Sequence, residues 1–470
     1  MKKIIYAILA FATISMQPLS AANEWIVEKY GAVSDGKTVN TKAIQQAIDE
    51  CSAAGGGNVV LSSGIYMSGT LKLKDNVTLE LRRGVVLRGT IDPRDYYNVD
   101  YFVDATGQSR GECLVGAVEA KNIGICGTGV IDGDGTHFRA NLTRKRLTEW
   151  GATEKEIADL SSVRPFLVRI VRCEDVNIKD VTMKNPAAWT CHLYQSKDIK
   201  VDGITIYAHG NRNNDGIDLD SCDGAVITNC NIDSGDDAMC FKTTSPIACQ
   251  NVVVSKCRLK SHWGAIKFGT ESMGDFRNIK VEDCYVYDTH GGGIKVLSMD
   301  GSNIYNVRIN KVEMVNVDMP IFIRLGERLR TYRKDDIKQP IGSIDRLYIN
   351  NIKATQMPCD DSRVNPPSGI IISGTPNARI GNVYLNNIDI TVPGGGTSEM
   401  KSIVVDEQPE KYPEFTHFGV QPAYGFNARH ADSLVMKSVS IKLAGEDGRD
   451  FMKLEDINSI PLQFPLPAKN

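Results

Sequence analysis

The sequence predicts an all-β fold: a single-stranded right-handed parallel β-helix with one N-terminal helix capping an end. Three observations predict it. Short runs of alternating apolar and β-branched residues recur along the chain, many opened by Asn or Asp, as at Asn122, Asp175, Asp198, Asn251, Asn278 and Asn306. Matched positions from Val176 to Val307 are spaced by 23, 26, 27, 27 and 28 residues. Helical periodicity is almost absent from the same region. A strand-built period of this size gives a coil of about three short strands per repeat, each repeat burying its apolar face against the next. The Leu pattern of leucine-rich repeats is missing, and propeller blades need longer, four-stranded repeats.

The elements follow in order. Residues 1–22 read as a secretory signal: Lys2 and Lys3 form the charged start, Ile4 to Ile14 the apolar run, and Ser20-Ala21-Ala22 the cleavage site. The apolar run is too short to span a bilayer. An exported protein, periplasmic or extracellular, is therefore expected, with residues 23–470 as one β-helix domain. Trp25 to Tyr30 reads as a strand. A helix then starts near Asn40 and ends at Gly55-Gly56-Gly57, with Ile44, Ala47, Ile48 and Cys51 as one apolar stripe. Such a helix suits an open sheet end, where unpaired strand edges invite aggregation. Three stretches interrupt the repeat and read as inserted loops: about 133–165, with a helix over Arg144 to Leu160, then 355–378 and 393–432. No linker separates a second domain.

Composition narrows the function classes. The net charge of −3 carries no bulk basic character, so nucleic acid is not an expected partner. No later apolar stretch approaches a membrane span. Hydrophobic residues make up 42% of the 470, enough for a long core. Cys230, Cys257 and Cys284 lie 27 residues apart inside apolar-patterned segments. That spacing predicts buried thiols stacked on successive coils. Of the twelve Cys, none shows metal-site spacing, and no cofactor or metal is expected.

The chemistry concentrates in Asn211 to Thr243, which holds Asp215, Asp218, Asp220, Asp223, Asp233, Asp236 and Asp237. Asn214 to Asp220 aligns with Asp236 to Lys242, 22 residues later. Continued through the repeat, Asp215 matches Asp237, His262 and His290, while Asp220 matches Lys242, Lys267, Lys295 and Arg324. Neighbouring coils stack about 4.8 Å apart. One solvent-facing sheet is therefore expected to carry an Asp-Asp-His-His column beside a basic one. Asp215 and Asp237 at that spacing repel, which raises the pKa of one of them. A stacked basic column is costly unless an anionic ligand lies on it. Grouped carboxylates suit glycoside hydrolysis, with one protonating the leaving oxygen and the others activating water. Adjacent cations suit a sugar that bears carboxylates.

These residues resemble glycoside hydrolase family 28, the polygalacturonases and rhamnogalacturonan hydrolases. Tyr30-Gly31-Ala32-Val33-Ser34-Asp35-Gly36 is similar to the opening of many pectin-active β-helix proteins, and the likeness runs over roughly residues 25–445. Asn213-Asn214-Asp215-Gly216 matches the family's Asn-x-Asp-Gly motif, and Ser234-Gly235-Asp236-Asp237 its Gly-x-Asp-Asp motif. The resemblance implies a pectin-lyase-like β-helix and inverting hydrolysis of α-linked, galacturonate-containing pectin. It implies Asp236 as general acid, Asp215 and Asp237 on the water, and Asp218 and Asn213 among substrate-binding residues. Of Gly-His-Gly only His262 remains, in Ser261-His262-Trp263, and the resemblance gives it the role of supporting the acid. Of Arg-x-Lys, a clamp for galacturonate on the leaving side, Lys295 remains and Gly293 replaces the Arg. Rhamnogalacturonan-cleaving members, which place rhamnose there, resemble the chain better at this point. Lys267 and Arg324 flank Lys295 in the expected column and would restore the charge. The expected partner is an acidic plant polysaccharide, met by a monomer. Two alternatives stay open: a non-catalytic polysaccharide-binding β-helix, and a calcium-dependent pectate lyase with a basic proton acceptor.

Overall fold

The structure is a computed structural model that describes residues 23–463. The expected signal segment lies outside the described residues. Strands from Glu24 onward wind into one continuous parallel β-helix. Coil follows coil in register. Cys191, Ile217, Met239, Ile266, Ile294, Ile321, Ile370 and Phe426 stack as one inward column. Ile199, Ala225, Val252, Ile279, Val307, Leu347, Val383 and Leu434 form another. All sixteen are buried, in one apolar core that runs the length of the helix. The outward positions between them carry the charged groups, because side chains alternate along a strand.

The Asn and Asp residues that open the repeats have a structural cause. Asn122, Asp175, Asp198, Asn251, Asn278 and Asn306 all sit at φ between +52° and +56°. Short polar side chains tolerate this left-handed corner better than other non-glycine residues do. The corners also bond to one another. Asn251 Nδ2 donates to Asp223 at 2.7 Å, Asn278 to Asn251 at 3.2 Å and Asn306 to Asn278 at 2.7 Å. Cys230, Cys257 and Cys284 are buried as expected, each thiol donating to the carbonyl two residues back. All twelve Cys are free thiols.

The N-terminal helix α1 spans Thr41–Ala53 and buries Ile44, Ala47, Ile48 and Cys51 against the first coils. Each such large aliphatic side chain contributes about 1.5–3 kcal/mol on burial. Three expectations shift. Trp25 to Tyr30 is a short strand, Glu24–Ile26, followed by a 3-10 turn, Val27–Tyr30. The insert at 133–165 holds two helices, α2 (Ala140–Glu149) and α3 (Glu154–Leu160). They are broken at Gly151, with φ +70°, and restarted by a capping box between Thr153 and Glu156. The stretches at 355–378 and 393–432 are not loop throughout. They contain the coil strand Ile370–Ser373 and the start of the strand Ala423–Leu443.

Candidate active site

The site forms where strands Ile217–Asp220, Met239–Thr243 and Ile266–Ser272 lie side by side. Asp215 and Asp237 precede the first two strands at matching positions, since Gly216 N donates to Asp237 O and Ile217 pairs with Met239. Both carboxyls are buried, and an oxygen of each lies within 4.8 Å of the other and of Cys240 Sγ. Lys242 Nζ reaches Asp215 at 3.3 Å, Asp218 at 3.5 Å and Glu271 at 3.2 Å. Lys267 Nζ reaches Asp237 Oδ2 at 2.6 Å. Asp237 Oδ1 is buried with no partner among the described residues, and so are both oxygens of Asp218 apart from Lys242.

Asp236 differs from its neighbours. It is half-buried and lines a cavity of about 310 Å³ with Asn213, Arg212, Trp263, Lys267 and Tyr412. Its main chain is fixed by two hydroxyls. Ser234 Oγ and Ser261 Oγ donate to its carbonyl at 2.6 and 2.7 Å. The Asp237 amide donates to its carboxyl at 2.9 Å.

Charge and burial set the proton positions. Burial, and next the charge of Asp237, push Asp236 up to about 7, against the pull of Lys267 and Lys242. Burial, and next Asp236, raise Asp215 well above the carboxyl range. Burial and then Asp215 do the same to Asp218. Glu271 goes the other way. Burial opposes its charge, but Lys242 and the Ala105 amide at 3.0 Å hold it at about 2. Burial opposes the charge on Lys267 too, and Asp237 together with Tyr412 and Cys240 more than restores it. Three buried carboxyls therefore hold protons more tightly than ordinary carboxyls do, while two lysines keep the cluster from losing its charge altogether.

The expected columns need correction. Lys267 pairs with Cys240 and Lys295 with Lys267, so these two lysines continue the column of Asp218. Lys242 continues that of Asp220, and Arg324 pairs with Leu297. One basic column is in fact two, a two-residue step apart. The register runs unbroken from the Ser234–Ser261 pair to the Met239–Ile266 pair, and Ala238 N donates to Gly264 O, so Gly264, not His262, stands opposite Asp237. Ser234 pairs with Ser261, which places His262 beside Gly235. Gly264 also has to be small, because a Cβ there would come 2.8 Å from Asp237 Oδ1. The sheet is not solvent-facing either: inserted loops cover it.

His262 is exposed, at the edge of a stack of rings, 5.1 Å from His209 and 5.7 Å from His290, and its ring makes no hydrogen bond to Asp236 or Asp237. Desolvation and then the two neighbouring histidines lower its pKa. Lys295 is fully buried and bound to Glu414 at 2.6 Å. Arg324, also fully buried, donates to Ser373 Oγ and to the carbonyls of Gly374, Glu407 and Gln408. Both were expected to contact substrate, and both are instead sealed by the 393–432 insert. Asp220 is likewise structural, accepting from Thr244 and facing the buried His192 at 3.2 Å. Asn213 does line the cavity, and its Oδ1 accepts from Arg164 at 2.9 Å.

Sequence reasoning missed Ser234, Ser261, Glu271 and Tyr412. The two serines occupy paired positions on successive coils, so a repeat alignment held the signal. Glu271 and Tyr412 reach the site through a bulged strand and an inserted loop, which no periodicity marks. Trp189 packs beneath the site, stacked on Phe166, with Lys242 Nζ over its ring at 4.5 Å. Trp263 lines the cavity, with the Arg363 guanidinium over its ring at 4.0 Å.

Residues 51–408 match the glycosyl hydrolases family 28. The chain belongs to that family. Asn213, Gly235 and Asp236 at the cavity lie within the matched residues. A probable polygalacturonase of Vitis vinifera is 29% identical over 246 residues, covering 50% of this chain and 46% of the relative. The exo-poly-alpha-D-galacturonosidase of Dickeya chrysanthemi is 27% identical over 249 residues, covering 46% and 41%. The family 28 chain thus spans about half the length of the curated relatives it matches. Among solved structures, the family 28 exopolygalacturonase of Yersinia enterocolitica superposes with a TM-score of 0.70 at 21% identity, over 93% of this chain and 78% of that one. The exopolygalacturonase of Thermotoga maritima gives 0.67 at 21%, over 89% and 92%. At these identities the likeness concerns the fold. Pairing of the same outward positions across coils makes the site a product of that fold.

Proposed function

We propose that the chain hydrolyses α-glycosidic bonds in the galacturonate-containing backbone of pectin, with inversion, and that it does so outside the cytoplasm. One observation carries the reading. Asp236, the half-buried carboxyl on the cavity, holds its proton up to about pH 7 beside an Asp237 oxygen that has no partner among the described residues. Asp236 gives that proton to the leaving glycosidic oxygen as the bond to the anomeric carbon breaks. A water held by Asp237 Oδ1 and Asp215 attacks the same carbon from the opposite face and passes its proton to that carboxylate pair. Water is added across the bond; the pair then releases its proton to solvent and Asp236 regains one. Lys242 and Lys267 keep the pair from becoming fully neutral, so a base remains. Asn213 and Trp263 position sugar in the cavity, and His262 borders it through its neighbour Gly235.

A rhamnogalacturonan backbone is favoured over plain polygalacturonate by a second observation. Gly293 stands where the family's clamp has Arg, and Lys295 is neutralised by Glu414. Neither clamp position therefore offers a free cation to a galacturonate on the leaving side. Incubation with each polymer, followed by reducing ends and by ultraviolet absorbance, tests both points. New reducing ends without unsaturated products are expected, faster from rhamnogalacturonan. Ultraviolet-absorbing products would mark a lyase, and no release from either polymer would mark a binding protein.

A further inference from the structure

We propose that Arg164, Arg212 and Arg139 form a separate anion subsite, upstream of the carboxylates, that takes the carboxylate of a uronic acid residue of the bound chain. The inference rests on the pectin reading above and names the groups that would select for acid on that side. A second cavity of about 550 Å³ adjoins the one that holds Asp236, and Arg212 lines both. Arg139 and Arg164 bracket the helical insert α2–α3, while Arg212 lies in the turn before Asp215. The insert and the turn meet at this cavity.

Its charge is one-sided. Three arginines line it and no Asp or Glu does. Nearby Arg110 is already neutralised by Asp104 at 2.8 Å. Arg164 is the centre. It is only 7% exposed, and Nη2 donates to Asn213 Oδ1 at 2.9 Å. Its Nε and Nη1 are buried with no partner among the described residues. Burial, and next the charges of Arg110 and Arg212, pull its pKa down to about 9. Buried guanidinium N–H groups left unpaired are costly. Nε and Nη1 lie on different edges of the guanidinium, so a carboxylate oxygen meets one of them in a single charge-assisted hydrogen bond. Arg212 and Arg139 are exposed and free to close on the same anion from the open side. Arg212 also connects this subsite to the reacting centre, so one polymer chain occupies both cavities.

Binding without turnover provides the test. In the full chain carrying Asp236→Asn, calorimetry compares hexagalacturonate with its carboxyl-reduced counterpart. The parent is expected to bind the acidic oligomer about tenfold more tightly or better. Arg212→Gln, on an exposed residue, should cut that preference severalfold with an unchanged melting temperature, and Arg164→Gln should nearly abolish it. Arg164→Lys restores charge without the fork and should recover only part. An undiminished preference in both Arg212→Gln and Arg164→Gln would overturn the subsite and leave the pectin reading standing. Failure of the parent to bind either oligomer would overturn the subsite, while the pectin reading stands or falls on product release from the two polymers.

Discussion

Two stretches of the same outward sheet face, one coil apart, treat their charges in opposite ways. Around Asp215, Asp218 and Asp237, two lysines meet an excess of carboxyls, buried oxygens are left without partners, and a cavity opens at Asp236. One and two coils on, each cation is held by protein oxygens: Lys295 by Glu414, Arg324 by five oxygens, Arg328 by Asp300 at 2.6 Å. The strands offer both stretches the same register. The covering loops make the difference, because they decide which charges find protein partners and which stay available to a ligand.

Breaking the first stretch should have the largest effect. Asp236→Asn removes the transferable proton but keeps the shape, and turnover should fall on the order of a thousandfold. Thermal unfolding should stay close to the parent, since the carboxyl carries no ion pair. Retained activity would transfer the acid role to another group. The second stretch should answer in stability instead. Lys295→Met leaves Glu414 buried and unpaired, a loss of about 3–5 kcal/mol in denaturant unfolding. Adding Glu414→Leu should recover most of it. Turnover of the folded single variant should change little, and a large rise in KM would return Lys295 to the substrate.

A subtler change sharpens the role of the first pair of lysines. Asp236 acts as an acid while protonated. Its raised value near 7 means that activity persists below that pH and falls as pH rises through it. Lys267 opposes the rise. In Lys267→Met the alkaline limb of kcat/KM should therefore move upward, by about one unit. A limb that stays in place or moves down would detach Lys267 from the acid. The limb belongs to the coupled trio rather than to one carboxyl.

Much of this was legible in the sequence. The repeat, the capping helix and the pairing of Asp215 with Asp237 follow from β-branched alternation and from Asn or Asp at left-handed corners, which recur with the coil. The downstream register was not legible. Matching Lys242 to Lys267 carried the count from Asp237 onto His262, but Lys267 pairs with Cys240, two positions earlier, and Gly264 takes the matching place. Nor does any strand pattern announce Glu414 or Glu271. The exposed basic column expected from the strands is a buried one, because its countercharges come from an insert and from a bulged strand.

The smallest predicted effect is the most selective. Arg324→Lys keeps the positive charge in the downstream column and removes only the planar fork. The fork holds Ser373 and Gly374 on one side and the Glu407 and Gln408 carbonyls on the other. An ammonium reaches fewer of these acceptors and loses the stacking over Phe418, where the guanidinium lies 5.1 Å from the ring. About 1–2 kcal/mol of stability should be lost with the unmatched hydrogen bonds. The 407–408 segment should become more accessible to hydrogen exchange, while kcat and the pH profile stay as in the parent. If this position served substrate charge, lysine would preserve stability and alter KM. The two outcomes separate a cation that anchors a loop from one that binds a polymer, which is the distinction between the two stretches.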